Sequence, residues 1–284
     1  MVRPTPERIA ELKAELTNPV ASFFDFDGTF SERQLLVELM LVVGDLFPKR
    51  NAIIQPLRDV ISEYENRRTY SYAPVIATAV ELAPEFYDGL SVADALTAAR
   101  SVLERFGEMT YIFPRRFVER MRIEPRRGRG LLIAITGAPQ VVAEIFGERY
   151  GFDLVYSIVN FEKDGVYTGI RDNRTARDKG GVLEEVTAAF GLDLSESIAL
   201  GDSTSDIPML ARVGYPFAVN PQAELVDWLR SNPRAVWVND RQKSGVSFFR
   251  SKVNDMSREL FLEEQLANCL PSYVPPFDLP GSRP

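Results

Sequence analysis

The chain has 284 residues, 45 % hydrophobic and 26 % charged, the balance of a soluble globular protein with one large domain or a core plus a smaller insert. A net charge of −7 disfavours nucleic acid and anionic membranes as partners, since both favour a basic surface. With no histidine and a single cysteine, Cys269, the chain excludes a histidine triad, a Cys/His metal site and an internal disulfide.

Any acid–base or covalent chemistry therefore falls to carboxylates, Lys, Tyr or hydroxyls, and any metal to a hard cation held by oxygen. Residues 6–17 have helical periodicity and predict a leading helix. The N-terminal stretch is charged and lacks the apolar core of a signal peptide. The greasy run from Leu35 to Val43 is interrupted by Glu38 and is too short to span a bilayer, so a cytoplasmic location is the expectation.

Ala21 to Phe26 is a continuous apolar run ending in acids, which suits a buried strand of a parallel sheet. From Ser31 to Arg122 the pattern predicts four or five helices broken by Pro48, Pro56, Pro74, Pro84 and Pro114. Strand character returns at Leu131 to Ile135, ending in Thr136-Gly137, and a helix follows over 140–150. A short strand is expected over 153–159, then a hairpin turning at Lys163-Asp164-Gly165. The rest reads as helix 179–190, strand 197–200 ending in Gly201-Asp202, helix 208–213, strand 215–219, helix 223–230 and strand 235–238. A helix is expected over 255–266, and the Pro-rich tail 271–284 reads as irregular.

Alternating strands and helices of these lengths predict an α/β fold, a doubly wound parallel sheet with an inserted all-helical cap domain. The expected division is a core of residues 1–30 and 123–240, a cap of 31–122 and a C-terminal extension of 241–284. The insert follows the first strand, where it would overhang the sheet rim; an independent helical domain elsewhere on the surface is the alternative. Ligands of such sheets bind beyond the carboxyl ends of the strands, and Asp25/Asp27, Thr136/Gly137 and Gly201/Asp202 all fall there.

The segment Phe23-Phe24-Asp25-Phe26-Asp27-Gly28-Thr29 carries the strongest signal. Side chains alternate along a strand, so Asp25 and Asp27 share a face, and Gly28 lets the chain leave the sheet sharply. Two acids this close repel unless a cation joins them or one is protonated. The plainer alternative is a pair of loop acids capping the next helix. Gly201-Asp202-Ser203-Thr204-Ser205-Asp206 likewise reads as acids at a helix N-terminus, which does not exclude a metal role.

In this order, Asp25-x-Asp27-Gly28-Thr29, Thr136 at a strand end, Lys179 opening a helix and Gly201-Asp202-Ser203-x-x-Asp206 resemble the haloacid dehalogenase-like phosphatases. The long helical insert and Asp164-Gly165-Val166-Tyr167-Thr168-Gly169 resemble the phosphoserine-phosphatase-like branch. The resemblance implies a Rossmann-like core and an Mg2+-dependent phosphatase acting on a small phosphorylated metabolite through an aspartyl-phosphate.

It also implies roles: Asp25 as nucleophile and Asp27 as general acid and then base. Thr136 and the Gly137 amide would hold phosphoryl oxygens at a helix start, with Gly28 and Gln34 lining the substrate site. Lys179 would neutralise the phosphoryl group, with Lys163 and Arg177 as competitors for that place. Asp25, the Asp27 carbonyl and Asp202 would hold Mg2+, with Asp206 in support. The branch carries a glutamate for the substrate amino group where this chain has Gln34, with Glu32 and Glu38 nearby. A neutral amide cannot supply that charge pairing, so phosphoserine is not the expected substrate. A phosphomutase and a noncatalytic phosphometabolite-binding protein are the alternative functions. Arg126, Arg127 and Arg129 read as a solvated loop, and Arg67 and Arg68 as exposed. The sequence does not determine the oligomeric state.

Overall fold

A computed structural model describes residues 5–66, 71–123 and 130–240, together with the backbone of 241 and 245–250. Helix α1 (Pro6–Glu15) precedes β1 (Ala21–Phe24). An insert of helices follows: α2 (Leu35–Leu46), α3 (Asn51–Glu65), α4 (Ala73–Tyr87), α5 (Val92–Phe106) and α6 (Ile112–Ile123). Then come β2 (Leu131–Pro139), α7 (Gln140–Tyr150), β3 (Leu154–Lys163) and β4 (Val166–Asp172). The chain continues through α8 (Arg174–Arg177), α9 (Lys179–Phe190), β5 (Ile198–Gly201), α10 (Ile207–Leu210), β6 (Tyr215–Val219) and α11 (Ala223–Ser231). It ends, among the described residues, in β7 (Val236–Arg241) and β8 (Gly245–Arg250).

The strands form one sheet in the order β4-β3-β2-β1-β5-β6-β7-β8. Its inner six strands are parallel, while β4 and β8 finish the two ends antiparallel. The first strand therefore sits in the middle, buried on both faces, which is why Ala21, Phe23 and Phe24 are apolar and Ser22 among them is buried too. On one face Phe23, Ile133 and Ala199 pack with Leu12 of α1, Leu183 of α9 and Leu225 of α11. On the other, Phe24, Ala134 and Leu200 pack with Phe146 of α7 and Phe117 of α6, and this core runs without a break into α2, α4 and α5.

The connection from β1 to the insert is locked by rings. Phe26 and Phe30 lie 5.1 and 5.5 Å from Phe152, and Phe30 lies 4.8 Å from Tyr150, at edge-on angles favoured by the ring quadrupoles. At the sheet's other concern, its free edge, the link from α4 to α5 covers β4. Gly89 N donates to Tyr167 O at 3.0 Å, Tyr167 N to Leu90 O at 2.9 Å, and Val92 N to Gly165 O at 3.0 Å. An otherwise open strand edge is thereby paired.

Several expectations are corrected. Pro56 and Pro84 do not break helices but lie inside α3 and α4. Burial of Ile54 and Leu57 in α3, and of Ala83 and Phe86 in α4, outweighs the lost backbone hydrogen bonds. The second strand does not stop before Thr136 but runs to Pro139, with a register shift between Ile135 and Pro139. Residues 245–250 extend the sheet as a strand. The expected hairpin is present: Asp164 and Gly165 have φ of 54° and 78°, the pair of positive values a type I′ turn requires. The expected helix over 255–266, the tail, Cys269, Arg67, Arg68, Arg126, Arg127 and Arg129 lie outside the described residues.

Candidate active site

At the carboxyl end of β1 the backbone stays in the sheet for one more residue, as Asp25 N donates to Leu200 O at 3.0 Å. Alternation then sends Phe24 and Phe26 into the aromatic core and Asp25 and Asp27 to a cavity at the rim. The chain turns at once: Ser31, Phe30 and Thr29 N–H groups all converge on the Phe26 carbonyl. Gly28 has φ +83°, and a Cβ there would lie 2.5 Å from Asp202 Oδ2, so only glycine lets the two loops approach.

Asp202 follows β5, the neighbouring strand. Its carboxylate accepts from Thr29 Oγ1 at 3.3 Å and Gln222 Nε2 at 2.8 Å. Asp206 is fully buried and organises its own loop: Oδ2 accepts from Asp202 N, Ser203 N and Ser203 Oγ at 3.0, 3.0 and 3.1 Å. The helix-cap reading of this segment is therefore realised alongside its place in the site. Carboxylate oxygens of Asp25, Asp202 and Asp206 lie within 4.8 Å of one another.

Lys179 Nζ bridges two of these acids, 2.8 Å from Asp25 Oδ1 and 2.6 Å from Asp206 Oδ1. It is the first residue of α9, where a cation opposes the helix dipole; the buried acids are what hold it there. Neither competitor takes this position: Lys163 is exposed at the hairpin end and Arg177 is exposed in α8.

Burial sets the protonation states. It raises Asp25 to about 6, with Lys179 opposing and Asp206 adding to the rise. It raises Asp27 to about 7, helped by the Asp25 charge and opposed by the hydrogen bond from Leu35 N at 2.8 Å. That bond also makes Asp27 a tether for the start of α2. Burial together with Asp206 and Asp25 pushes Asp202 well above the ordinary carboxylate range. Burial alone would lower Lys179, but the attraction of Asp206 and Asp25 outweighs it and holds the ammonium charged.

The cavity has a volume of about 350 Å3. Asp25, Asp27, Gln34, Gly137, Lys179 and Asp202 all line it. Thr136 is buried beneath, its Oγ1 accepting from Ala138 N at 3.1 Å. Gly137 lies in the bulged end of β2, not at the first turn of α7 as expected, because the strand continues to Pro139. Glu38, buried on α2, pairs with Arg33 at 3.4 Å and is not among the residues lining the cavity. Sequence reading quoted Thr29 in the first motif without a role, and missed Gln222, which with Thr29 steadies Asp202, and Arg171 and Asn173 on the cavity wall. Gln222 follows β6, so the rule that pointed to the other strand ends would have found it.

These features agree with comparisons to known proteins. A family model for haloacid dehalogenase-like hydrolases matches residues 22–211, more than half of the chain. The chain belongs to that family. It is 38 % identical over 100 residues to the "inhibition of morphological differentiation protein" of Streptomyces azureus, covering 34 % of this chain and 36 % of that one. It is 27 % identical over 99 residues to the phosphoserine phosphatase of Methanocaldococcus jannaschii, covering 34 % and 47 %. The matches thus span less than half the length of these curated relatives. A phosphoserine phosphatase structure superposes with a TM-score of 0.51 at 18 % identity, covering 74 % of this chain and 91 % of the other. A Bordetella pertussis protein of unknown function gives 0.57 at 19 %, covering 76 % and 96 %. Both structures share the fold. No helix among the described residues is long and apolar enough to cross a membrane.

Proposed function

We propose that the chain is a divalent-cation-dependent phosphatase that hydrolyses a small phosphomonoester through a phospho-Asp25 intermediate. The observation that carries this reading is the cluster of three buried carboxylates within 4.8 Å, bridged by one lysine and flanked by a carboxyl that titrates near neutrality. Three acids against one ammonium leave an excess of buried negative charge, and an all-oxygen donor set of this kind fits a hard cation such as Mg2+. Asp25, Asp202 and the Asp27 carbonyl would hold it. Asp206 Oδ2 already accepts three hydrogen bonds, so its role is to fix the loop and Lys179. When bound, the cation would offset phosphoryl charge and orient the ester for in-line attack.

The residues divide the reaction as follows. An Asp25 carboxylate oxygen attacks phosphorus, and the bond from phosphorus to the ester oxygen breaks. Asp27 passes its proton to the departing oxygen, so the leaving group exits as an alcohol. Asp27, now ionised, takes a proton from water as that water attacks the phospho-Asp25 phosphorus, releasing phosphate and restoring both carboxyl groups. Lys179 and the Gly137 amide offset charge on the phosphoryl oxygens, and Thr136 braces that loop. Residues 31–122 would form a cap on the core of 1–30 and 123–240, with α2 and α4 over the cavity.

Asp25→Asn tests the reading. Phosphate release from a panel of phosphorylated metabolites should fall by at least about 1,000-fold with an unchanged fold, and chelation of divalent ions should abolish it reversibly. Retained turnover in the variant would reject the mechanism. A phosphomutase would instead yield isomerised sugar phosphate and no free phosphate.

A further inference from the structure

Resting on the phosphatase reading above, we infer that the preferred substrate carries, besides its phosphate and a short apolar body, a second anionic group of carboxylate type, and that Arg171 binds it. The cavity's charged residues fall into two sets. Asp25, Asp27, Asp202 and Lys179 belong to the reaction centre; among the other described lining residues, Arg171 alone is charged. Val37, Ile76, Ala79 and Ile158 give the same cavity an apolar wall. A substrate in this space would set its phosphate on the reaction centre, lay apolar surface against that wall and offer an anion to the Arg171 guanidinium.

Arg171 has no acidic partner among the described residues. The ionisable groups that act on it are Tyr87 and Arg177, the second a like charge. Its hydrogen bond, Nη2 to Val80 O at 3.0 Å, engages one of five N–H donors and leaves a planar fork suited to a carboxylate. Burial pulls its pKa below the usual arginine value, the mark of a cation that an incoming anion would stabilise.

The same inventory disfavours an ammonium. Gln34 is neutral, and Glu38, one turn further along α2, is held by Arg33 and does not line the cavity. Every lining carboxylate lies in the reaction centre. The rival role for Arg171 is mechanical, since its bond to Val80 O straps β4 to α4.

Three phosphate monoesters of equal length separate these roles: that of γ-hydroxybutyrate, that of its carboxamide, and that of the matching amino alcohol. Wild-type kcat/KM should favour the acid over the amide by about 10- to 100-fold, with the amine lowest. Arg171→Met should erase that preference, chiefly through KM, and Arg171→Lys should retain part of it. The phosphonate analogues, bound to the Asp25→Asn protein and measured by calorimetry, should rank in the same order. Turnover of all three esters without preference overturns the inference and leaves the phosphatase reading standing. Ranked binding that Arg171→Met abolishes, with no turnover of any ester, sustains the inference and sinks that reading. Equal loss on all three substrates in Arg171→Met assigns the strap role and overturns the inference, as does binding without rank or no binding at all.

Discussion

The floor of the cavity and its apolar wall solve opposite problems. On the floor, carboxylates are buried and most of their oxygens are held by Lys179, Gln222, Thr29 or a backbone amide. On the wall, Val37 and Ala79 belong to a continuous apolar layer that reaches down through Phe24 and Phe26 to the sheet. A site built this way separates reaction from recognition. The floor tolerates almost no change, because removing one partner strands another charge, whereas the wall can be altered at little electrostatic cost.

Lys179→Met should break the floor most severely. It leaves Asp25 and Asp206 without their shared cation and should cost about 3–5 kcal/mol in urea unfolding of the metal-free protein. Turnover should be lost as well. Phe30→Ala attacks the layer beneath the wall and should cost about 3–5 kcal/mol by the same measurement, since a fully buried ring is removed. Here added divalent cation should restore little of the lost stability, whereas it should not bind Lys179→Met normally.

Gln222→Ala is gentler. It removes one hydrogen bond from Asp202 and should weaken divalent-cation affinity about 10-fold, read by titration, with stability changed by about 1 kcal/mol. A further test is in pH. Asp27 titrates near 7 and Asp25 near 6 when folded, both above the 3.8 of an ordinary aspartate. Between those values the folded chain holds protons that the unfolded chain has released, so stability falls as pH rises from about 4 to about 7. In chelator, Tm should be lower at pH 8 than at pH 5 by at least about 3 °C, and divalent cation should narrow the gap.

The floor was the more legible region from sequence. Period-two alternation, a glycine turn and acids at strand ends are local signals, so Asp25, Asp27 and Asp202 could be found without knowing the rest of the fold. Lys179 was harder, because Lys163 and Arg177 carry the same charge nearby and only packing separates them. The wall was nearly silent. Ile76 and Val80 lie on a helix whose apolar residues look like any core stripe, and Arg171 sits in a hairpin whose other exposed residues are ordinary. Pro56 and Pro84 misled for a related reason: their local preference is to end a helix, and distant contacts decide otherwise. The strand over 245–250 pairs antiparallel with β7, the strand just before it in the chain, and the apolar residues Val246, Phe248 and Phe249 were its overlooked local sign.

The link between α4 and α5 has a consequence for any attempt to shorten the protein. By pairing with Gly165 and Tyr167 it finishes the sheet margin that the hairpin would otherwise leave bare. Excising the helices to obtain a minimal hydrolase would uncover that margin, and the truncated molecules would be prone to stick to one another strand against strand.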